Sequence, residues 1–240
     1  MLRNMANNKS STARIWALIP AAGIGARMAA DCPKQYLTVQ GKTILEHSLS
    51  IFLGTDKIAG VQLCLSPEDA YWQQLGFSHK KLLSTCAGGE RRADSVLSGL
   101  QALEKVADAK DWVLVHDAAR PCLTQELLMK LIDSVAGHSV GGILAAPVAD
   151  TLKNASQEQI ENTVDRSNLW AAQTPQMFRL GFLTDCLQKA LANGVVVTDE
   201  ASCVEAAGFQ PQLVPSVRSN IKVTYPEDLA WVDCFLASTL

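Results

Sequence analysis

The chain has 240 residues, 48% hydrophobic and 19% charged, the balance of one large or two small globular domains able to bury a full core. That composition excludes a disordered chain, and a net charge of −3, from 21 Lys and Arg against 24 Asp and Glu, argues against general nucleic-acid or anionic-membrane binding while leaving room for a local basic pocket. No run approaches the ~18 apolar residues of a membrane span. Residues 1–14 are polar and lack the apolar stretch of a signal peptide, so a flexible leader is expected ahead of a single domain over 15–240. Seven scattered cysteines (Cys32, Cys64, Cys86, Cys122, Cys186, Cys203 and Cys234) include no CxxC pair. They read as small core hydrophobes of a reducing compartment, and a cytoplasmic location is expected.

In chain order, residues 16–19 form an apolar strand ended by Pro20. Thr43-Ile44-Leu45-Glu46 opens a helix with a capping-box pattern, with Leu45, Leu49 and Phe52 on one face. Residues 61–65 are the next strand, Pro67 and Glu68 start a short helix, and 82–86 are a third strand closed by Gly88-Gly89. A helix over 93–106 carries Val96, Leu97, Leu100 and Leu103 at helical spacing; a strand at 112–115, a helix over 124–135 and a strand at 142–146 follow. Continuous apolar strands alternating with helices predict an α/β domain with a mostly parallel sheet covered on both faces. Residues 148–170 break this rhythm. They read as two polar strands, 148–153 and 160–165, around a Ser-Gln-Glu-Gln turn. A hairpin with so little core is unstable alone, and a second subunit is a natural support. Helices are expected at 183–191, at 200–207 and from Pro226 onward.

Ligands of open α/β sheets sit beyond the carboxyl ends of the strands. The first strand runs into Pro20-Ala21-Ala22-Gly23-Ile24-Gly25-Ala26-Arg27-Met28, small residues whose amides can form an anion nest, followed by the cations Arg27 and Lys34. Taken alone, the loop is equally a tight turn and the cations a solvated face. The dinucleotide fingerprint fails because Met28 stands where its third glycine belongs. A second close-approach loop is Gly88-Gly89-Glu90-Arg91-Arg92-Ala93-Asp94-Ser95; Ser95 reads as a hydrogen-bonding partner for a base or ribose, or as a helix-surface serine. The fourth strand ends in His116-Asp117-Ala118-Ala119-Arg120-Pro121. Asp117, at the end of a central strand, needs a partner there: a metal, a ribose hydroxyl or an internal cap. No nucleophilic triad or GxSxG elbow is present. In the last cluster, Ser219 to Asp228, Lys222 lies in a short strand that leads into a Pro-started helix, and alone it would be an exposed lysine.

Together these segments are far more specific than any one of them. With Pro33-Lys34-Gln35-Tyr36, Ala146-Pro147-Val148-x-Asp150-Thr151, Thr163-Val164-Asp165-Arg166, Gln173-Thr174-Pro175-Gln176, Thr198-Asp199-Glu200-Ala201-Ser202 and Asn220-Ile221-Lys222-Val223-Thr224, the chain from about Trp16 to its last helix resembles the 2-C-methyl-D-erythritol 4-phosphate cytidylyltransferases. The resemblance implies a Rossmann-like open, mostly parallel sheet of the nucleotidyltransferase type, with a protruding β-arm at about 148–170 that forms a homodimer. It implies transfer of CMP from CTP to methylerythritol phosphate, with Mg²⁺ as cofactor and pyrophosphate leaving.

The residue roles follow from the same resemblance. Arg27 and Lys34 stabilise the triphosphate. Lys222 positions the attacking phosphate. Arg166, from the partner's arm, and Thr151 grip the erythritol phosphate, with Arg120 and Thr198 as further candidates. Pro20 and Gly25 belong to the nucleotide loop; Ala21, Ala22 and Gly23 on one side and Gly89 and Ser95 on the other enclose the cytosine. Asp117 meets the ribose or the metal. Two alternatives share the fold: a ribitol 5-phosphate or other sugar-alcohol phosphate cytidylyltransferase, and a non-catalytic nucleotide-binding regulatory protein.

Overall fold

The computed structural model describes residues 13–23 and 32–239. Its centre is a seven-stranded sheet in the order β11-β7-β10-β6-β1-β4-β5. The strands are β1 (Ile15–Ala21), β4 (Ile58–Leu65), β5 (Cys86–Ala87), β6 (Trp112–Val115), β7 (Gly141–Pro147), β10 (Trp170–Arg179) and β11 (Gln212–Pro215). All neighbours pair in parallel except β10, which runs antiparallel to both β6 and β7. Alternation along β1 splits its side chains between two layers. Ala17 and Ile19 pack with α1 (Ile44–Leu53) and α3 (Gln125–Val135). Trp16 and Leu18 pack with α2 (Arg92–Leu103), α4 (Leu180–Ala192) and α5 (Glu200–Ala206). A small third cluster seats α6 (Asp228–Thr239) against Ala119, Cys122 and Val223. Two short pairs stand apart from the main sheet: β2 (Thr38–Val39) with β3 (Lys42–Thr43), and β8 (Leu152–Ser156) with β9 (Gln159–Val164).

The expected alternation holds, and the capping box at α1 is present, Thr43 Oγ1 accepting from the Glu46 amide while Glu46 accepts from the Thr43 amide. Several boundaries differ from expectation. Pro20 does not end β1, which continues through Ala21. The β1–β6 pairing stops at Leu18, so the missing proline N–H forfeits no ladder bond on that side. In place of a helix from Pro67, Asp69 Oδ1 accepts the amides of Tyr71 and Trp72 in a turn, and only a 3-10 turn at Gln73–Leu75 follows. The expected strand at 82–86 is reduced to β5 plus a single bridge from Leu82 to Val61. Lys222 is not in a strand: residues 221–224 are held instead by the Val223 amide donating to Ala119 O at 2.8 Å. β10 and β11 were not foreseen at all. The arm strands lie at β8 and β9, and their turn places Gln157 and Glu158 at φ of 48° and 66°, the left-handed pair that a tight hairpin turn requires. No helix among the described residues is long and apolar enough to cross a membrane.

The N-terminal edge of the sheet is pinned by one carboxylate. Asp111, just before β6, accepts from the Arg14 amide (2.8 Å), Arg14 Nε (3.2 Å), the Trp16 indole (2.9 Å) and the Asp108 amide (3.1 Å). Burial pushes its pKa up, but the Trp16 hydrogen bond and the Arg14 and Asp108 amides outweigh that and lower it. Replacing Asp111 by Ala leaves the buried Trp16 N–H unpaired, and urea unfolding should register a loss of about 2 kcal/mol. Because the folded carboxyl titrates below its ordinary value, its contribution is present above that value and fades as pH falls through it. The difference between wild type and Asp111→Ala should therefore shrink below about pH 4.

Candidate active site

Three strand ends converge at one edge of the sheet. β1 runs out into Ala22 and Gly23, β5 into Gly88 and Gly89, and β6 into His116 and Asp117. Between them lies a cavity of about 160 Å³ lined by Pro20, Ala21, Ala22, Gly23, Lys34, Gly89, Ser95, Asp117 and Lys222, together with Arg92 and several neighbours. The walls are close. A Cβ on Gly88 would collide with Ala22 and Ser95, and one on Gly89 with Asp94, so both positions require glycine. Ser95 is not a surface residue. It is 2% exposed, and its Oγ accepts the Gly89 amide at 3.0 Å, fixing the loop rather than pointing into it.

Lys34 sits on a 3-10 turn, Lys34–Tyr36, which is tied down on both sides. Gln35 Nε2 donates to Ala21 O at 2.8 Å, and Tyr36 donates to Asp69 at 2.7 Å while stacking on Tyr71. Lys34 Nζ donates to Val223 O at 2.9 Å. The preceding residue, Lys222, places its Nζ 2.8 Å from Asp117 Oδ2. One short segment therefore gathers both lysines, brought from opposite ends of the chain.

Asp117 is the electrostatic centre. Arg92 Nε pairs with Oδ1 at 2.9 Å, and Lys222 at 2.8 Å and Arg120 Nε at 3.7 Å face Oδ2. Burial opposes its charge, but Arg92, Lys222 and Arg120 together hold its pKa far below the ordinary carboxylate range. Arg92 also forks onto Glu200, with Nη1 at 2.7 Å and Nη2 at 3.2 Å. Burial raises the Glu200 pKa although Arg92 pulls it down. His116 is not poised for acid–base work. Burial lowers it to about 4, so it is neutral near pH 7, and its ring nitrogens face Thr174 Oγ1 and Arg120 O.

A neighbouring hollow of about 240 Å³ shares Asp117, Arg92 and Lys222 with the first and adds Arg120 and Thr198. Arg120 is buried, Nη1 donating to Asn220 O at 2.7 Å, and its Nε has no hydrogen-bond partner among the described residues. Thr151 and Arg166 are not brought here within one chain. They line a separate concavity on the arm, where Arg166 Nη1 donates to Val148 O at 2.8 Å. Gly25 and Arg27 lie outside the described residues.

Sequence reasoning gave no role to Arg92, Glu200 or Gln176, although all three stand inside the quoted motifs. Gln176 Nε2 donates to Asp199 Oδ2 and its Oε1 accepts the Ala201 amide, both at 2.8 Å, which docks the start of α5 and so sets Glu200 opposite Arg92. For Gln176 the available signal was the polar Gln173, Thr174 and Gln176 around Pro175, directly ahead of the apolar Met177 and Phe178.

Comparison with known proteins agrees with this geometry. Residues 15–238 match the family model IspD, 2-C-methyl-D-erythritol 4-phosphate cytidylyltransferase. A protein of that name from Ectopseudomonas mendocina is 52% identical over 221 residues, 91% of this chain and 94% of the relative. One from Vibrio vulnificus is 50% identical over 222 residues, covering 92% and 94%. A crystal structure of 4-diphosphocytidyl-2C-methyl-D-erythritol synthase superposes with a TM-score of 0.82 at 42% identity, covering 93% of this chain and 98% of that one. The Francisella tularensis cytidylyltransferase also gives 0.82, at 36% identity, covering 93% and 100%.

Asp117→Asn keeps the shape of the site and removes the charge that three cations face. Unfolding free energy should fall by about 3 kcal/mol in denaturant titration. That is the low end for breaking a buried pair, because Lys222 keeps access to water.

Proposed function

The chain belongs to the 2-C-methyl-D-erythritol 4-phosphate cytidylyltransferase family, and from that premise we propose how its residues divide the work. The reaction transfers CMP from CTP to 2-C-methyl-D-erythritol 4-phosphate, in isoprenoid precursor biosynthesis, and releases pyrophosphate. The relatives named for this acceptor favour it over ribitol 5-phosphate and favour an enzyme over a regulatory binder.

An acceptor phosphate oxygen forms a bond to the α-phosphorus as the bond to pyrophosphate breaks. That oxygen is already anionic near neutral pH, so no general base is needed, in keeping with the buried, neutral His116. The obstacle is charge: one anion meets another, and cations already in place lower that cost. The observation that carries the assignment is the joint placement of Lys34 and Lys222 by residues 222–223 at the mouth of the glycine-walled cavity. Lys34 faces the triphosphate, with Arg27 assigned beside it by resemblance. Lys222 lies between the α-phosphate and the acceptor, whose own subsite is the Arg120 and Thr198 hollow. Pro20 through Gly23 and Gly89 enclose the nucleotide, with Gly25 assigned to the same loop by resemblance, and Ser95 acts on it through Gly89. Lys34→Ala should lower kcat by ~10²–10³, with much less effect on KM for the sugar phosphate, in a pyrophosphate-release assay.

Mg²⁺ is proposed as a companion of CTP. The protein offers no ready cage: among the described residues no group of three metal-ligating side chains clusters, and both Asp117 oxygens face cations. Carried in on CTP, the metal would be held mainly by the triphosphate oxygens and would supply charge neutralisation there. Chelation with EDTA should abolish turnover, and added Mg²⁺ should restore it.

We also propose a homodimer through the arm. β8 and β9 are almost wholly exposed, with Ile160 at 66%, and such a hairpin needs an external surface to hold Arg166 in place. Exchange of arms across a two-fold axis supplies that surface to both subunits. Arg166→Ala and Lys222→Ala should each be nearly inactive alone. Re-equilibrated together they should regain activity, since a crossed arm leaves one site of the heterodimer with both lesions and the other with neither. A mixture that stays inactive would assign the arm to its own subunit.

A further inference from the structure

Two cysteines far apart in sequence meet beside the nucleotide cavity. Cys64 on β4 and Cys86 on β5 are direct partners across a parallel strand pair, and their sulfurs are 3.2 Å apart. Adjacent strands lie ~4.8 Å apart, within the ~4.4–6.8 Å Cα separation that a disulfide spans. Cys64 is fully buried, while Cys86 is partly exposed at the rim of the core that holds Cys64, so of the two residues Cys86 is the nearer to solvent. The pairing with Cys64 lowers the Cys86 pKa against the opposing effect of burial, and Gln62 and Lys105 add to the lowering.

We propose that Cys64 and Cys86 form a peroxide-reactive dithiol whose oxidation to a disulfide weakens CTP binding. The Cys86 thiolate attacks one oxygen of hydrogen peroxide. The O–O bond breaks, leaving a sulfenic acid on Cys86 and a hydroxide that takes up a proton to become water. The Cys64 sulfur then attacks the Cys86 sulfur, the S–S bond forms, the S–O bond breaks, and a second water leaves with the Cys64 proton. The dithiol loses two electrons and the peroxide gains them.

Coupling to the nucleotide site follows from position. Closing the sulfurs from 3.2 Å to bonding distance rotates both side chains and ties β5 covalently to β4, so the two strands lose their freedom to move relative to each other. β5 feeds directly into Gly88, whose amide is bonded to Leu65 O and whose backbone has no spare room against Ala22 and Ser95. A cross-link there keeps the slot between Ala22 and Gly89 from widening to admit the nucleotide.

The test uses the full chain in a Cys234→Ser background, which removes the exposed thiol. After hydrogen peroxide treatment and alkylation, non-reducing tryptic mapping reads the link, since Lys80 and Lys81 separate the two cysteines. A single cross-linked peptide, a several-fold rise in KM for CTP, and reversal of both by dithiothreitol are expected. Cys86→Ser should form no link and keep its KM under peroxide; Cys64→Ala provides the same control from the buried side. Recovery of both cysteines as alkylated thiols, overoxidation of Cys86 with Cys64 left free, or a link that leaves the KM unchanged would overturn the proposal.

Discussion

The site depends on one buried anion. A carboxylate at the end of a central strand is costly to desolvate, and Asp117 remains charged because Arg92, Lys222 and Arg120 approach it from three directions. Each cation belongs to a different part of the chain: Arg92 opens α2, Arg120 follows the β6 loop, and Lys222 precedes α6. Neutralising one charge therefore fixes the mutual positions of three segments. Arg92 extends the constraint to Glu200 and so to α5. Loss of one cation leaves Asp117 still paired with the other two, whereas loss of Asp117 leaves three cations facing one another in a partly dry site, so the arrangement depends on the carboxylate above all.

Beneath that network, β10 supplies polar groups where the rest of the sheet supplies apolar ones. Gln173 Oε1 accepts from Ser216 Oγ and Asn220 Nδ2, its Nε2 donates to Val217 O, and Thr174 Oγ1 accepts the Asp117 amide. These bonds explain why β10 could not be read from sequence. A strand is recognised by its apolar alternation, and here Gln173, Thr174 and Gln176 are buried by hydrogen bonding instead. β11 escaped for a simpler reason: it is a four-residue edge strand with one buried side chain, Val214. What could be read was what burial dictates, namely the apolar strands β1, β4, β6 and β7 and the amphipathic helices between them. The Gly88-Gly89 wall and the Asp117 position were also legible, because an unusual residue at a strand end has few physical explanations. Arg92 and Glu200 were not. An arginine at a helix start and a glutamate at another resemble ordinary charged surface until the fold sets them 2.7 Å apart.

The arm obeys the opposite rule from the rest of the molecule. Its strands pair only with each other, and Ile160, Leu152, Leu169 and Trp170 remain uncovered in a single chain. Of these, Leu152 and Ile160 lie on the two-stranded ribbon itself, while Leu169 and Trp170 stand where the arm rejoins the main sheet. The Thr151 and Arg166 concavity shares no lining residue with the cavity at the strand ends.

Charge balance then connects the site to its chemistry. Over the whole chain acids outnumber bases, giving a net −3. Around the cavity and the adjoining hollow the order is reversed: the described groups there are the cations Lys34, Arg91, Arg92, Arg120 and Lys222 against Glu90, Asp117 and Asp199, and with Glu200 behind Arg92 counted, an excess of one positive charge remains. Such an excess, partly withdrawn from water, is unfavourable until a polyanion enters, so it favours phosphate-rich ligands over neutral ones. Asp117 keeps that excess from becoming a trap. By holding Lys222 and Arg92 at 2.8 and 2.9 Å it gives each cation a resident partner, so an arriving phosphate must compete for the charge and a departing pyrophosphate is replaced by a counter-ion already in place. A transfer enzyme has to release one anion as readily as it binds another, and a shared internal carboxylate is the simplest group able to set that balance.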